Sequence, residues 1–366
     1  MHFSIQKNIL QEAVSKVQKA VTGKSTMPIL QGILIQAING KLILLGSDKD
    51  LTIEATVDAE INTEGKIVVD SRLFGDLIRK LPNDNIEIST NENSTLTIKC
   101  LKSNATLVHM LADDYPAIPT IQEEKSITLP QNMLKNMIKS TIFATAHDET
   151  RPIFTGVLFE VKDNKVNLVA MDGYRVAIRT EGIDTNVELN NVIPGKTLSE
   201  VSKILEDSEE VINILFTTNH ILFDLGKTKV ISRLLEGEFI KYDSIIPKEY
   251  LLKTIARKDD LLNSIDRASL IGKEGKTNLV KLDIQEEKMI ITSNSQLGMA
   301  REEININLQG DDLKIAFNSK YLMDILKIMD SEEVEMEFST NVNPCIVKNK
   351  GKNNCTYLLL PVRMVE

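Results

Sequence analysis

The stretch Asp70-Ser-Arg-Leu-Phe-Gly-Asp-Leu-Ile-Arg-Lys-Leu81 is written twice more along the chain. It returns as Gly195-Lys-Thr-Leu-Ser-Glu-Val-Ser-Lys-Ile-Leu205 and as Ser319-Lys-Tyr-Leu-Met-Asp-Ile-Leu-Lys-Ile-Met329, with Ser71, Gly195 and Ser319 spaced 124 residues apart each time. The columns agree in chemistry. Arg72, Lys196 and Lys320 align, as do Arg79, Lys203 and Lys327, and Asp76, Glu200 and Asp324 stand between them. The apolar columns are Leu73/Thr197/Tyr321, Leu77/Val201/Ile325 and Leu81/Leu205/Met329. Apolar residues four apart predict a helix with one face on a core. Basic residues seven apart share one face, two turns along. One such helix is read as an ordinary solvated face. Three of them in a chain of net charge −9 predict that positive charge is gathered on one recurrent surface.

Outward from these helices a single plan, β-α-β-β-β, repeats in pairs. In the first third, strands at 2–6, 32–37, 41–46 and 51–57 surround a helix at 7–21, whose predicted buried face is Ile9, Leu10, Ala13, Val14 and Val17. Strands at 66–69, 85–90, 95–101 and 105–111 surround the helix at 71–80, with Asp70 or Ser71 as its N-cap. Asn39-Gly40 marks a hairpin turn. The middle third repeats the plan between 126 and 235. The last third follows it more loosely, opening on a helix at 259–271. Proline-bearing linkers at 113–119 and 237–247 separate the thirds, and Tyr115 and Phe239 stand at equivalent places in them. The expectation is an α+β chain of three domains, 1–120, 121–247 and 248–366, each (β-α-β-β-β)2. A length of 366 residues suits two or three cores.

An apolar fraction of 42% and a charged fraction of 26% describe a soluble globular protein. No apolar run reaches the roughly 20 residues of a membrane span, and Met1–Lys7 does not read as a signal peptide. Cys100, Cys345 and Cys355 sit in strand-like runs as buried or half-buried thiols, which fits a reducing cytoplasm. His2, His109, His147 and His220 are too scattered for a metal site. The acidic balance argues against gripping nucleic acid over the whole surface, but not against a local basic lining.

Catalytic constellations are not found: there is no phosphate-binding glycine loop and no Gly-x-Ser-x-Gly elbow. Asp48 and Asp172, 124 apart, read as turn residues, and Gly32 and Gly156 as structural glycines before strands. Ile271-Gly-Lys-Glu-Gly-Lys276 follows a helix instead of opening one, the wrong polarity for a phosphate cradle. Met171-Asp-Gly-Tyr-Arg175 is either a hairpin turn with Gly173 at positive φ or one wall of an apolar groove formed with Tyr174, Arg175 and Val176. The apolar tail Leu358-Leu-Leu-Pro-Val-Arg363 must pack or bind something.

The three repeats, Ala170-Met-Asp-Gly-Tyr-Arg175, the early Met27-Pro-Ile-Leu30 and the terminal Leu-Pro-Val-Arg363 together resemble the bacterial sliding clamps, the β subunits of the replicative DNA polymerase III, from Met1 to Arg363. The resemblance implies a non-catalytic, head-to-tail homodimeric ring without cofactor or metal. Twelve helices would line the hole, sheets would form the rim, and double-stranded DNA would pass through regardless of sequence. A clamp loader would open the ring, and the ring would tether the polymerase α subunit and other clamp-binding proteins in the cytoplasm. Carried over by position, Lys24, Arg72, Arg79, Lys196 and Lys203 face DNA, and the repeat columns add Lys139, Lys320 and Lys327. The partner-peptide pocket maps onto Phe154, Met171, Gly173, Tyr174, Arg175, Val176, Ile240, Ile245, Leu358, Leu360, Pro361, Val362 and Arg363. The dimer interface maps onto Ala105 and Leu107, facing the partner's Leu270 and Ile271. Two or three buried anchors at about 1.5–3 kcal/mol each, less ordering costs, suit micromolar peptide affinity.

Three positions and the tail depart from the family pattern. Ser244 stands where relatives often carry Arg, Asp148 where a neutral residue is common, and Ala105 where an aromatic residue can face the partner. Met364-Val-Glu366 extends the tail. The competing reading is a repeat-built protein scaffold that does not encircle DNA.

Overall fold

Asp70 and Asn318 start two of the repeated helices by capping them. The Asp70 Oδ1 accepts the Leu73 N–H at 2.7 Å, and the Asn318 Oδ1 accepts the Lys320 and Tyr321 N–H groups. Each side chain satisfies donors that the first turn leaves free. The computed structural model describes residues 1–23, 25–119, 121, 124–148, 150–274 and 278–364. Lys24 lies outside them.

The elements run β1 (His2–Gln6), α1 (Lys7–Val17), β2 (Gly32–Ile38), β3 (Lys41–Ser47), β4 (Leu51–Asp58), β5 (Glu60–Thr63), β6 (Gly65–Asp70), α2 (Ser71–Lys80), β7 (Asn85–Asn91), β8 (Thr95–Cys100) and β9 (Ser103–Leu111). Then come β10 (Lys125–Pro130), α3 (Gln131–Thr141), β11 (Gly156–Lys162), β12 (Lys165–Met171), β13 (Arg175–Gly182), β14 (Leu189–Pro194), α4 (Gly195–Ile204), β15 (Val211–Phe216), β16 (His220–Asp224) and β17 (Thr228–Arg233). The last third holds β18 (Leu252–Arg257), α5 (Lys258–Glu274), β19 (Leu279–Gln285), β20 (Lys288–Ser295), β21 (Gly298–Gln309), β22 (Leu313–Asn318), α6 (Ser319–Ile328), β23 (Glu333–Phe338), β24 (Cys345–Asn349) and β25 (Cys355–Leu359). The β-α-β-β-β plan holds throughout. β5 and β18 were not anticipated from the sequence, and α1 stops at Val17, short of the expected 21.

Two compact units form, Met1–Lys135 with Ser199–Leu234, and Asn136–Leu198 with Leu235–Glu366. Each contains one antiparallel sheet. The first orders its strands β10-β15-β16-β17-β4-β3-β2-β6-β9-β8-β7-β1-β5, the second β14-β11-β12-β13-β25-β24-β23-β18-β21-β20-β19-β22. Each sheet crosses from one third of the chain into the next at a single strand pair, β17 on β4 or β25 on β13. The compact units therefore cut through the middle third.

The repeated helices bury Phe74, Leu198 and Leu322 completely. That column lies one position beyond the expected Leu73/Thr197/Tyr321, of which Leu73 is 54% exposed and Thr197 buried; in the other expected columns Val201, Ile325, Leu81, Leu205 and Met329 are buried. Burial in α2 follows Ser71, Phe74, Gly75 and Ile78, the 3.6-residue period, whereas a strict step of four drifts around the helix. Ile9 is likewise exposed, while Leu10, Ala13, Val14 and Val17 are buried as expected. Gly32 and Gly156 are places of close approach. A Cβ on Gly32 would stand 2.5 Å from Val68 Cγ1, and one on Gly156 2.7 Å from Val192 Cγ1. Asn39 and Gly40 both take positive φ, as their hairpin requires. The three cysteines are free and buried.

Candidate functional site

The basic columns lie on the solvent side of their helices. Arg72 and Arg79 on α2, Lys196 and Lys203 on α4, Lys320 and Lys327 on α6, and Lys139 on α3 are all exposed. Their acidic column behaves in two ways. Arg79 pairs with Asp76 and Lys203 with Glu200 at 2.7 Å, each over three residues. Asp324 instead accepts from Arg175 Nη1 at 2.7 Å. Lys19, which the sequence did not single out, joins the basic face of the first unit. Partial burial holds its ammonium below the usual lysine range; Glu200 opposes this, while Lys203 and Lys16 reinforce it. Like charges crowd there closely enough to feel one another.

In the second unit, the β12–β13 turn, the linker after β17 and the C-terminal tail meet over one apolar core. Phe154, Met171, Val176 and Leu358 are buried in a cluster with Leu158, Val169, Phe239 and Tyr242. Around this floor stand apolar side chains that water reaches: Tyr174 at 61% exposure, with Ile240, Ile245, Leu360 and Val362 near 40%. Pro361 is half-buried and Arg363 exposed. The tail is fastened at two points. Leu360 N–H donates to the Tyr174 carbonyl at 2.9 Å, and Val362 N–H to the Ala316 carbonyl at 2.8 Å. Exposed apolar groups gathered on three fixed segments mark a contact surface more than a packing accident. A cleft of about 880 Å³ lies along residues 237–244, 246 and 248 against Leu158, Glu160 and Asn190 and shares Leu158, Phe239 and Tyr242 with this floor; of the predicted pocket residues it includes Ile240 alone.

The turn is built by Asp172. Its Oδ1 accepts the Tyr174 and Arg175 N–H groups at 3.0 and 3.1 Å, and Gly173 takes φ +92°. Arg175 is 4% exposed, so it lies beneath the surface and not on its wall. Its Nε donates to Asp172 Oδ2 at 3.0 Å, Nη1 to Asp324 and Nη2 to the Phe143 carbonyl at 2.7 Å. The guanidinium lies over the Tyr321 ring at 4.3 Å and near the Phe143 ring at 5.3 Å. Tyr321 stacks on Tyr174 with ring centres 6.1 Å apart. Burial raises the Tyr321 pKa, and Asp172 adds to this against Arg175. Tyr321, Asp324 and Phe143 were missed as parts of this region. From the sequence alone Tyr321 reads as an apolar column residue and Asp324 as an acid aligned between two basic columns.

Ala105 and Leu107 on β9 are half-buried, Leu270 on α5 is 59% exposed, and Ile271 is intermediate. Ser244 Oγ donates to the Lys241 carbonyl. Asp148 accepts from Thr150 N–H and Oγ1, bonds that hold its carboxyl below the usual range. Ile271–Glu274 form the last turn of α5, and positions 275–277 lie outside the described residues. No cluster of metal-binding side chains occurs among the described residues.

The repeated (β-α-β-β-β)2 units, joined strand to strand, define a protein of the three-domain DNA-clamp fold. Family models agree along almost the whole length: the DNA polymerase III beta subunit N-terminal domain matches residues 1–119, its central domain 128–241 and its C-terminal domain 243–363. The chain belongs to this family, the beta sliding clamps, and is a clamp and not an enzyme. It is 39% identical to the beta sliding clamp of Staphylococcus epidermidis and 37% identical to that of Staphylococcus aureus, covering 99% of each chain in both alignments. The DNA polymerase sliding clamp of Bacillus subtilis superposes with a TM-score of 0.96 at 36% identity over the full length of both chains.

Proposed function

We propose that the chain closes as a head-to-tail homodimer around double-stranded DNA and holds the replicative polymerase there through the apolar surface of its second unit. The observation that carries this reading is a pair of strand edges that have no neighbour among the described residues. β9 pairs with β8 over Ser103–Val108 and with β6 only from His109 on. β21 pairs with β20 over Gly298–Asn305 and with β18 only from Ile306 on. The strands equivalent to β9 and β21 in the repeat are the ones that join within the chain, β17 to β4 and β25 to β13. An open edge is a template for another strand. The first edge carries Val108, 74% exposed, and the second Met299, 66% exposed. A second copy supplies each edge with its missing neighbour, and head-to-tail closure satisfies both at once.

The two internal joints share one register. Leu51 faces Ser232 and Arg175 faces Leu359; Ser232 and Leu359 in turn face Ile221 and Cys345, which are 124 residues apart. Thr97, 124 residues before Ile221, faces Thr106. Leu51 and Arg175 are 124 residues apart and the next such step falls on Met299, so this register, carried to the open edges, sets Thr106 opposite Met299 of the partner subunit and Asn104 opposite Arg301 of the partner subunit. Cysteines introduced as Thr106→Cys with Met299→Cys are expected to oxidise to a covalent dimer, while Thr106→Cys with Glu303→Cys stays monomeric in denaturing gels. Equal crosslinking of both pairs contradicts the register.

The basic helical faces suit the interior of such a ring. Arg72, Arg79, Lys139, Lys196, Lys203, Lys320 and Lys327, with Lys24, attract phosphates without reading bases, so nothing arrests sliding. The acidic surplus belongs outside. Domains of 1–120, 121–247 and 248–366 give the ring six similar segments. Tyr174, Ile240, Ile245, Leu360 and Val362 above their buried floor receive short apolar peptides of the polymerase α subunit, the clamp loader and other clamp-binding proteins, and two such surfaces per ring add avidity. The work is done in the bacterial cytoplasm. Ala105 buries less area at the closure than an aromatic residue.

A further inference from the structure

Three repeated acids have two kinds of partner. On α2 and α4 the acid neutralises the basic residue three positions on, Asp76 with Arg79 and Glu200 with Lys203. On α6 the same spacing would join Asp324 to Lys327, yet Asp324 is bound to Arg175, and among the described residues Lys327 makes no ion pair. The residue equivalent to Arg175 in the first unit is Leu51, which is buried and has no charge to offer Glu200.

We infer that Arg175 is a positioning residue that, by taking Asp324 from Lys327, ties the floor of the partner-peptide surface to the charge presented by the DNA-facing side of α6. The inference rests on the ring reading given above. Arg175 is fixed on every side: by Asp172 in the turn that carries Tyr174, by the Phe143 carbonyl, by Asp324, and between the Tyr321 and Phe143 rings. One guanidinium thus holds the turn beneath Tyr174 and the carboxylate of a helix whose exposed lysines face elsewhere. In the equivalent column Arg79 and Lys203 carry their own counter-ion. Lys327 does not, so it releases a full condensed cation when it meets a phosphate. Without Arg175, Asp324 is free to fold back on Lys327 as Asp76 and Glu200 do on their neighbours.

The test is the salt dependence of binding to a short labelled duplex, measured beside the affinity for a short labelled peptide from the polymerase α subunit. Lys327→Gln lowers the slope of log K against log salt by about 0.9 per lysine engaged. Arg175→Met lowers it by the same amount, because Asp324 then neutralises Lys327. Arg175→Met with Asp324→Asn restores the wild-type slope. Asp324→Asn alone, which keeps the shape of the side chain and guards against misfolding of the Arg175 variant, leaves the slope at the wild-type value and weakens the peptide about tenfold. A merely structural Arg175 would not move the slope. An unchanged slope in Arg175→Met beside a lowered one in Lys327→Gln overturns the inference and spares the ring reading; so does a steeper slope in Asp324→Asn, which means that Asp324 already neutralises Lys327. An unchanged slope in Lys327→Gln removes α6 from the DNA-facing surface and takes the underlying reading with it.

Discussion

The β3–β4 turn of the first unit and the β12–β13 turn of the second are the same structure with different rims. Leu30, Leu34, Leu45, Val68 and Tyr115 form the floor beneath one; Phe154, Leu158, Val169, Val192 and Phe239 occupy the equivalent places beneath the other. Asp48 and Asp172 cap both turns in the same way. Above the floor the two part company. Ser47 and Thr52 spend their hydroxyls on each other at 2.8 Å, where the second unit has the apolar Met171 and Val176. Asp50 stands where Tyr174 does, and Arg233 where Leu360 does. The fold supplies a platform twice, and only the second carries an apolar rim. The buried joint differs as well. Leu51 fills its place as a hydrocarbon, whereas Arg175 must be paired, stacked and hydrogen-bonded to lie there at all.

Breaking the buried joint has the largest expected effect. Arg175→Met leaves Asp172 and Asp324 facing an apolar side chain and costs about 3 kcal/mol, the low end for a broken buried pair because Asp324 keeps some access to water. Leu51→Met, the same replacement at the equivalent position, costs about 1 kcal/mol or less. Urea unfolding midpoints of the two variants check the contrast, and equal losses would remove the distinction between the joints.

Truncating the rim separates binding from stability. Tyr174→Ala is expected to weaken polymerase peptide binding about tenfold with the unfolding midpoint unchanged, since the ring is mostly exposed. Asp50→Ala is expected to change neither. Fluorescence anisotropy with one labelled peptide reads both, and a loss in Asp50→Ala would make the first turn a binding surface too.

Backbone strain gives the smallest effect. Gly173 and Lys49 occupy equivalent positions with φ of +92° and +85°. Gly173→Ala is expected to cost about 1–2 kcal/mol, because a Cβ is strained there. Lys49→Gly relieves the same strain but loosens the unfolded chain, for a net gain of about 1 kcal/mol at most. Thermal unfolding of both variants decides whether the turns are conformationally alike.

The architecture was legible because the helix at 71–80 is repeated at a constant interval, and a repeat reports architecture even where single elements are weak. The short β5 and the joining strand β18 escaped notice because neither has an apolar period of its own; β18 is defined by pairing with β21 and β23, far along the chain. Most of the expected apolar columns are buried, but Leu73 is not, because a four-residue step approximates a 3.6-residue turn only over short distances. The burial of Arg175 could not be read from the sequence at all. Its decisive partner, Asp324, is 149 residues away, and an acid between two basic columns reads as a surface counter-ion until the fold brings an arginine to it.

Encirclement itself is tested most directly by topology. Clamps placed by a clamp loader on nicked circular DNA are expected to stay through gel filtration at a salt concentration that abolishes simple electrostatic binding. They are expected to leave within the same run once a single cut linearises the circle, because the ring then slides off the ends. Equal retention on circular and linear DNA would contradict the ring and leave a protein scaffold that binds DNA without enclosing it.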